Sequence, residues 1–379
     1  MKFVLFYHSF VSCWNHGNAH FLRGIARELI KRGHSVSVWE PEDGWSRTNA
    51  LRDGGAAALA EAARLVPGVT LQTYRGDGPE LDHALDRADV VMVHEWNTPG
   101  LVAGIGQRRL QGARFTLFFH DTHHRAVTAS HEIERLDLDG YDGVLAFGEI
   151  LREVYARRGW GEHAFTWHEA ADTALFHPIP ETPKSTDLVW IGNWGDEERT
   201  HELEQFLIKP VAKLGIAARV YGVRYPDSAR NALARAGVHY RGWLPNHLAP
   251  DAFAQAKATI HVPRRPYVET MPGIPTIRVF EALACGIPLI SAPWRDIEGL
   301  FPAGAYLSVR DTLETALALR RILNDAAFAR ELAATGLRAI EARHTCAMRV
   351  DELISIIESI NCPTAARSAM HTHDSVLAS

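Results

Sequence analysis

The sequence predicts an α/β fold of two domains, each built on a parallel sheet, and three observations carry this. Short apolar strands alternate with helical stretches in both halves. Near residues 170–186 that pattern gives way to proline and polar residues. The stretch MPGIPTIRVFEALACGIPLISAPW, from Met271 to Trp294, joins loop, helix and strand within two dozen residues. Strands that are apolar throughout and alternate with helices form parallel sheets covered on both faces. A chain of 379 residues is long for one core, so two domains are expected.

The elements follow in order. FVLFY is the first strand. The opening MKFVLFYHSF breaks at His8 and has no small-residue cleavage site, so it does not read as a signal peptide. Residues 18–32 place Phe21, Leu22, Ile25 and Leu29 on one helical face, with Asn18 as the expected cap and Gly33 as the stop. SVSVWE, VTLQTY, DVVMVHE, ARFTLFFHD and DGVLAFG read as further strands, with helices over 56–65 and 81–88. After HEAADTALFHPIPETPKS come the strands DLVWIG, ARVYG and ATIHV, with helices over 197–214 and 227–236. Residues 312–359 read as helical, and those from Pro363 as a frayed tail. The expected boundaries are a first domain over 1–172, a linker over 173–186, a second domain over 187–346, a last helix over 347–362 and a disordered tail over 363–379.

Composition narrows the function. The chain is 46% hydrophobic and 22% charged with a net charge of -5, which is ordinary for a globular protein and gives no reason to expect nucleic acid as a partner. No apolar run is long enough to span a membrane. The four cysteines, Cys13, Cys285, Cys346 and Cys362, are widely spaced, which fits reduced thiols in a cytoplasmic protein.

The stretch from Met271 to Trp294 has the chemistry of a nucleotide site. A loop feeding a helix N-terminus offers unpaired N–H groups to phosphate, and here Gly273, Ile274, Pro275 and Thr276 lead into IRVFEALAC. Glu281 lies one turn inside that helix, where a carboxylate suits the vicinal hydroxyls of a ribose. Arg278 shares its face three residues earlier, so an internal salt bridge is equally expected. Three other loops are candidates. Asn15, His16, Gly17 and Asn18 follow the first strand, where the crevice of an open α/β sheet lies, although Gly17 and Asn18 also suit a turn and a cap. Gly192 and Asn193 let backbone approach a nucleotide, with Arg199 nearby and Arg264 a rival cation. FFHDTHHR ends a strand with His120 and Asp121, as VMVHEW does with Glu95. No further ligand cluster accompanies these histidines, so no metal is expected.

The helix motif, Glu281, Ala282, Leu283, Ala284, Cys285, Gly286, Ile287, Pro288, resembles the E-A-x-A-x-G-x-P donor-site signature of GT-B glycosyltransferases of family 4. The wider R-x-F-E-A-x-A-C-G form is closest to the spore-maturation CgeB-like branch. HEAADTALFHP resembles the interdomain N-G-V-D-x-x-x-F-x-P segment of that family, with Asp172, Phe176 and Pro178 matching and the asparagine and glycine lost. One departure stands out: many retaining members carry a second glutamate where this chain has Gly273, and Glu269 is the nearest carboxylate. The resemblance implies two Rossmann-like domains facing a central cleft, with a C-terminal helix crossing back. It implies a metal-independent hexosyltransferase taking a nucleotide-diphospho-sugar, with UDP the commonest nucleotide, to a small-molecule or glycan acceptor. It implies retention, with His120 contacting the transferred sugar. An inverting enzyme would need His120, Asp121 or Glu95 as base. Two alternatives stay open: a sugar-nucleotide epimerase, and a non-catalytic sugar-nucleotide-binding protein. A dinucleotide oxidoreductase is disfavoured because no G-x-G-x-x-G follows the first strand.

Overall fold

The computed structural model describes residues 1–14, 17–195 and 197–361. Its first sheet holds β1 (Lys2–Phe6), β2 (Ser35–Pro41), β3 (Thr70–Tyr74), β4 (Val90–His94), β5 (Thr116–Asp121), β6 (Gly143–Ala146) and β7 (Ala164–Thr166). Its second holds β8 (Thr186–Ile191), β9 (Ala218–Tyr221), β10 (Val238–Tyr240), β11 (Ala256–His261), β12 (Leu289–Ser291) and β13 (Leu307–Ser308). The spatial orders are β3-β2-β1-β4-β5-β6-β7 and β10-β9-β8-β11-β12-β13. The strands pair in parallel throughout, beginning with Lys2 opposite Ser35 and Phe3 opposite Val90. Phe3, Val4, Leu5 and Phe6 are all buried, as a strand covered on both faces requires. Both sheets therefore have the doubly wound order, in which the connections reverse direction beside the first strand.

Two chain crossings join the halves and pair with each other. The Ala171 N–H donates to the His344 carbonyl (2.9 Å), and the Cys346 N–H donates to the Ala171 carbonyl (3.1 Å). Asp172 accepts from Arg27 of helix Ala19–Lys31. Helix Cys346–Asn361 then packs on helix Ala19–Lys31, where Arg32 meets Asp351 at 2.6 Å. No described helix is long and apolar enough to cross a membrane.

Several elements differ from the sequence expectation. Asn18 precedes the first helix, but its side chain does not cap it; the amide donates to Thr122 Oγ1 at 2.6 Å. The expected 56–65 helix is the second half of Trp45–Arg64, broken at Gly55 (φ 66°, ψ -174°). The 81–88 helix shortens to Leu81–Ala84. The 197–214 helix divides into Thr200–Leu203, a π-helical turn Glu204–Ile208 and Lys209–Leu214. The C-terminal helical region is three helices, Thr312–Asn324, Ala326–Arg343 and Cys346–Asn361. Helix Pro99–Leu110 was not anticipated, because Gly100, Gly104 and Gly106 lower its propensity. Gly106 is there for contact: a Cβ would stand 2.4 Å from the Asp139 carbonyl oxygen. The tail expected over 363–379 lies outside the described residues.

The proline–glycine loop reaches into the other half. Tyr267, Met271 and Ile274 belong to the apolar cluster built otherwise from residues 4–155 of the first sheet and its helices. Ile274 presses on Gly148, where an added Cβ would lie 2.3 Å from its Cγ1. Ile274→Ala should lower stability by about 2–4 kcal/mol, the usual cost of truncating a fully packed isoleucine. Urea unfolding measures it, and an unchanged midpoint would show that this contact does not hold the halves together.

Candidate functional site

The loops after the central strands of both sheets converge on one cleft of about 880 Å³. His8, Gly17 and Asn18 follow β1, Trp96 and Asn97 follow β4, and Thr122 to His124 follow β5. From the other half come Gly192 and Asn193 after β8, Gly222 and Arg224 after β9, and Val262 and Arg264 after β11. Ligands collect at such strand ends, where the order of an open sheet reverses.

Three of the expected cations meet here. Arg199 is almost fully buried, donating to the Val262 and Asn193 carbonyls (3.0 and 2.7 Å). Among the described residues its Nε has no hydrogen-bond partner and no carboxylate lies within ion-pair distance of it. Burial, then Arg264 and Arg278, pushes Arg199 down to about 9, so it stays charged at neutral pH. Arg264 is paired with Glu198 at 3.0 Å. The loop at Gly192 is pinned from behind: Tyr225 Oη donates to the Gly192 carbonyl at 2.8 Å, and the Val223 N–H donates to Asn193 Oδ1 at 3.2 Å. Thr276, before helix Ile277–Ala284, does not cap it; its hydroxyl meets His261 Nε2 at 3.1 Å, and His261 Nδ1 meets Ser291 Oγ at 2.9 Å. Burial, with Arg199 adding to it, pushes His261 down to about 3, so the imidazole is neutral.

Glu281 is placed behind this wall and does not line the cleft. It has no solvent exposure. Oε1 accepts from His20 Nδ1 and Asn246 Nδ2, both at 2.8 Å, and Oε2 accepts from Arg278. Burial alone would raise its pKa. Arg278 and His20, with hydrogen bonds from His20 and Asn246, outweigh that and hold it below the ordinary carboxylate value. Arg278 and Asn246 reach the cleft from this hub. Arg23, buried in helix Ala19–Lys31, extends it by donating to Asn246 Oδ1 at 3.0 Å. Gly17 closes the same corner; a Cβ there would lie 2.6 Å from Ile277 Cγ2.

The three strand-end residues expected to be catalytic are brought together, but beneath the cleft. His120 is fully buried, bonded through Nδ1 to Tyr7 Oη at 2.9 Å, and burial pushes it down to about 3. Asp121 accepts from Tyr155 Oη (2.8 Å) and the His123 N–H (2.9 Å), and burial raises it to about 6. Glu95 is buried against Arg125, with Oε1 unpartnered; burial and the neighbouring Asp121 raise it well above the usual range. The loop residues Gly273, Ile274 and Pro275 are buried in packing and do not line the cleft. Glu269 is exposed outside it, and Asn15 lies outside the described residues.

Sequence reasoning passed over Glu169. This carboxylate is 5% exposed, lines the cleft, and accepts no hydrogen bond from a described residue. Burial, with Glu281 adding to it against Arg278, raises it well above the ordinary carboxylate value, which favours its protonated form. The signal was its position in HEAAD, where the interdomain motif has asparagine. The tryptophans of the cleft, among them Trp14, Trp45 and Trp243, were missed for want of any local pattern.

Residues 199–355 match the family model described as "Glycosyl transferase-like". No curated protein matches the chain in sequence. In structure it is similar to HepE of Anabaena in complex with UDP, at 14% identity over 95% of this chain and 100% of that one, TM-score 0.66. It is similar to sucrose-phosphate synthase from Thermosynechococcus elongatus, at 16% identity over 95% and 99%, TM-score 0.64. A DNA-modifying β-glucosyltransferase solved with and without uridine diphosphoglucose matches at 12% identity over 96% and 100%, TM-score 0.62. The fold is GT-B. In this GT-B chain, as the sheet orders show, the cleft lies between two Rossmann-like halves and Glu281 ties one to the other.

Glu281→Ala should cost about 2–3 kcal/mol at pH 7, below the ~3–5 of a wholly buried pair because Arg278 is partly exposed. A lowered folded pKa gives stability that is complete above the unfolded value of ~4.3 and is lost as pH falls through the folded one. The deficit should therefore shrink in acid. Urea unfolding at pH 7 and pH 3 tests this; an equal deficit at both would show that the charge is irrelevant.

Proposed function

We propose that the chain is a glycosyltransferase that takes a sugar from a nucleoside diphosphate sugar, a UDP-sugar by preference, and passes it to an acceptor held by the first half. The observation that carries this is Arg199, a buried cation on the cleft wall with no counter-ion among the described residues, flanked by Arg264 and Arg278. A diphosphate would supply the missing charge. The same arginines would stabilise the charge that grows on it as the glycosidic bond breaks. The match to the glycosyl transferase-like model begins at Arg199 and includes all three. Similar structures were solved with UDP and with UDP-glucose.

In this reading Gly17, Gly192 and the start of helix Ile277–Ala284 bring backbone close to the phosphates, as the sequence led us to expect. Glu281 acts indirectly, by aiming Arg278 and Asn246. His120, Asp121 and Glu95 shape the floor under the sugar. Glu169, holding its proton, donates a hydrogen bond to a hydroxyl of the transferred sugar. Retention follows the family-4 resemblance, with the leaving diphosphate assisting the acceptor hydroxyl on the same face; the anomeric configuration of the product, read by NMR, tests it. Closure of the two halves would keep water from the donor.

UDP should raise the melting temperature of the protein, and a panel of UDP-sugars should yield one that is turned over to UDP. Arg199→Met should abolish both effects without lowering the melting temperature of the ligand-free protein, because it removes an uncompensated buried charge. A UDP shift that survives this substitution would refute the assignment of the diphosphate site.

Donor affinity should fall as pH rises through the raised pKa of Glu169, since only the acid form donates. Glu169→Gln, which donates at every pH, should flatten that profile while keeping affinity, and Glu169→Ala should lose it. Titration calorimetry over a pH series that starts in the ordinary carboxylate range and rises from there reads the difference; identical profiles for wild type and Glu169→Gln would remove Glu169 from the site.

A further inference from the structure

One carboxylate of the cleft stands between two unlike partners from opposite halves. Glu198 follows β8 and lines the cleft. Its backbone is pinned on both sides: the N–H donates to the Gly195 carbonyl at 2.9 Å, and the carbonyl accepts from the Arg265 N–H at 2.9 Å. Its side chain is 31% exposed. Oε2 meets Arg264 Nη1 at 3.0 Å, while Oε1 stands 3.8 Å from Nε2 of His124, which comes from the loop after β5 in the first half. That second gap is too long for a hydrogen bond. Among the described residues, the buried His124 Nε2 has no hydrogen-bond partner. The imidazole is fixed at its other nitrogen, where Nδ1 meets Thr128 Oγ1 at 2.7 Å. The Tyr267 ring stands edge-on to it at 5.4 Å, and the His123 ring lies at 4.1 Å. Burial holds the His124 pKa below the ordinary imidazole value; Glu198 opposes this, and Arg264 and Arg125 add to it.

We infer that Glu198 is a stand-in anion: it occupies Arg264 while the cleft is empty, yields that guanidinium to a diphosphate, and turns to His124 across the cleft. The inference rests on the donor reading and adds to it a residue that competes with the donor. Arg264 is near enough to Arg199 to lower its pKa, second only to burial, so the two guanidiniums repel one another. A carboxylate on Arg264 relieves that repulsion in the empty protein. A diphosphate carries more charge than one carboxylate and reaches both guanidiniums, so it displaces Glu198. The displaced carboxylate has a short way to go, since its backbone stays in place and His124 Nε2 is within reach of a side-chain rotation. Closing that gap raises the His124 pKa, because the charge that opposes burial comes nearer. The group that kept the cation occupied then ties the loop after β8 to the loop after β5, a link between the halves that forms when the donor binds.

Titration calorimetry with UDP on the intact protein at low salt tests the competition. Glu198→Gln should tighten UDP binding about two- to fivefold, the size set by a partly exposed ion pair. In an Arg264→Met background the same substitution should leave the affinity as it was, because the contested guanidinium is gone. A residue that merely supported the loop would weaken binding when changed. Unchanged or weaker UDP binding in Glu198→Gln, or equal tightening in both backgrounds, would overturn the inference. The His124 ring resonance, identified by its loss in His124→Gln, reads the transfer. UDP should raise its pKa more in wild type than in Glu198→Gln; equal rises would overturn the inference as well. If wild type binds no UDP, the donor reading fails and this inference falls with it. If wild type binds UDP and Glu198→Gln binds it no tighter, the donor reading stands and the inference alone fails.

Discussion

Glu281 has no contact with solvent, and its two oxygens are shared by three side chains from both halves of the molecule. His20 comes from the helix after β1, Asn246 from the turn after β10, and Arg278 from the same helix as Glu281. A carboxylate removed from water is costly unless each lone pair finds a donor. Here burial pulls the pKa up, and the surrounding donors and charges pull it further down. The ionised form therefore fixes the geometry: helix Ile277–Ala284 cannot turn or slide without stranding one of these donors. Both the width of the cleft at this corner and the aim of Arg278 follow from it.

With that corner fixed, the two sheets set the rest. Each places its reversal of order toward the same space, so loops of unlike composition face one another across it. One wall gathers cations and glycines, and among them Arg199 is held in burial with no carboxylate within ion-pair distance among the described residues. Such an arrangement lowers the stability of the empty protein, and a bound anion would offset that cost, which is the physical basis of the diphosphate site proposed above. Near the opposite wall, arginines are paired with Glu40, Asp53, Glu42 and Glu95.

The alternation of strands and helices, the change of pattern near residue 170 and the helix ending at Gly286 were legible because each rests on local chemistry: apolar runs, proline, and a glycine with φ 62°. Arg199, Arg264 and Arg278 were legible as cations beside loops. What the sequence did not reveal was direction. His120, Asp121 and Glu95 sit at strand ends, as cleft residues do, yet they are buried beneath the floor, where Tyr7 bonds His120, Tyr155 bonds Asp121 and Arg125 pairs with one oxygen of Glu95. The burial of Glu281 depends on His20 and Asn246, distant in sequence, and no local pattern announces it. Asn18 looks like a cap because of its type and place, but Thr122, 104 residues on, competes for its amide and wins.

Gly273 shows how far a local departure is built into the whole. Its φ of 99° lies in the left-handed region, and a Cβ would stand 2.7 Å from Ile297 Cγ1 and 3.2 Å from Glu298 Oε1. Glu298 has no room to yield, since it accepts from the Glu149 N–H at 3.0 Å and meets His168 Nε2 at 2.7 Å, joining the loop to the first half. A side chain at residue 273 would thus strain the backbone and push on an interdomain contact at once. The loop is shaped around the absence of a carboxylate there, while one residue after His168 the chain sets Glu169 into the cleft itself. The same short segment therefore anchors Glu298 through His168 and supplies the one buried cleft carboxylate that lacks a partner among the described residues.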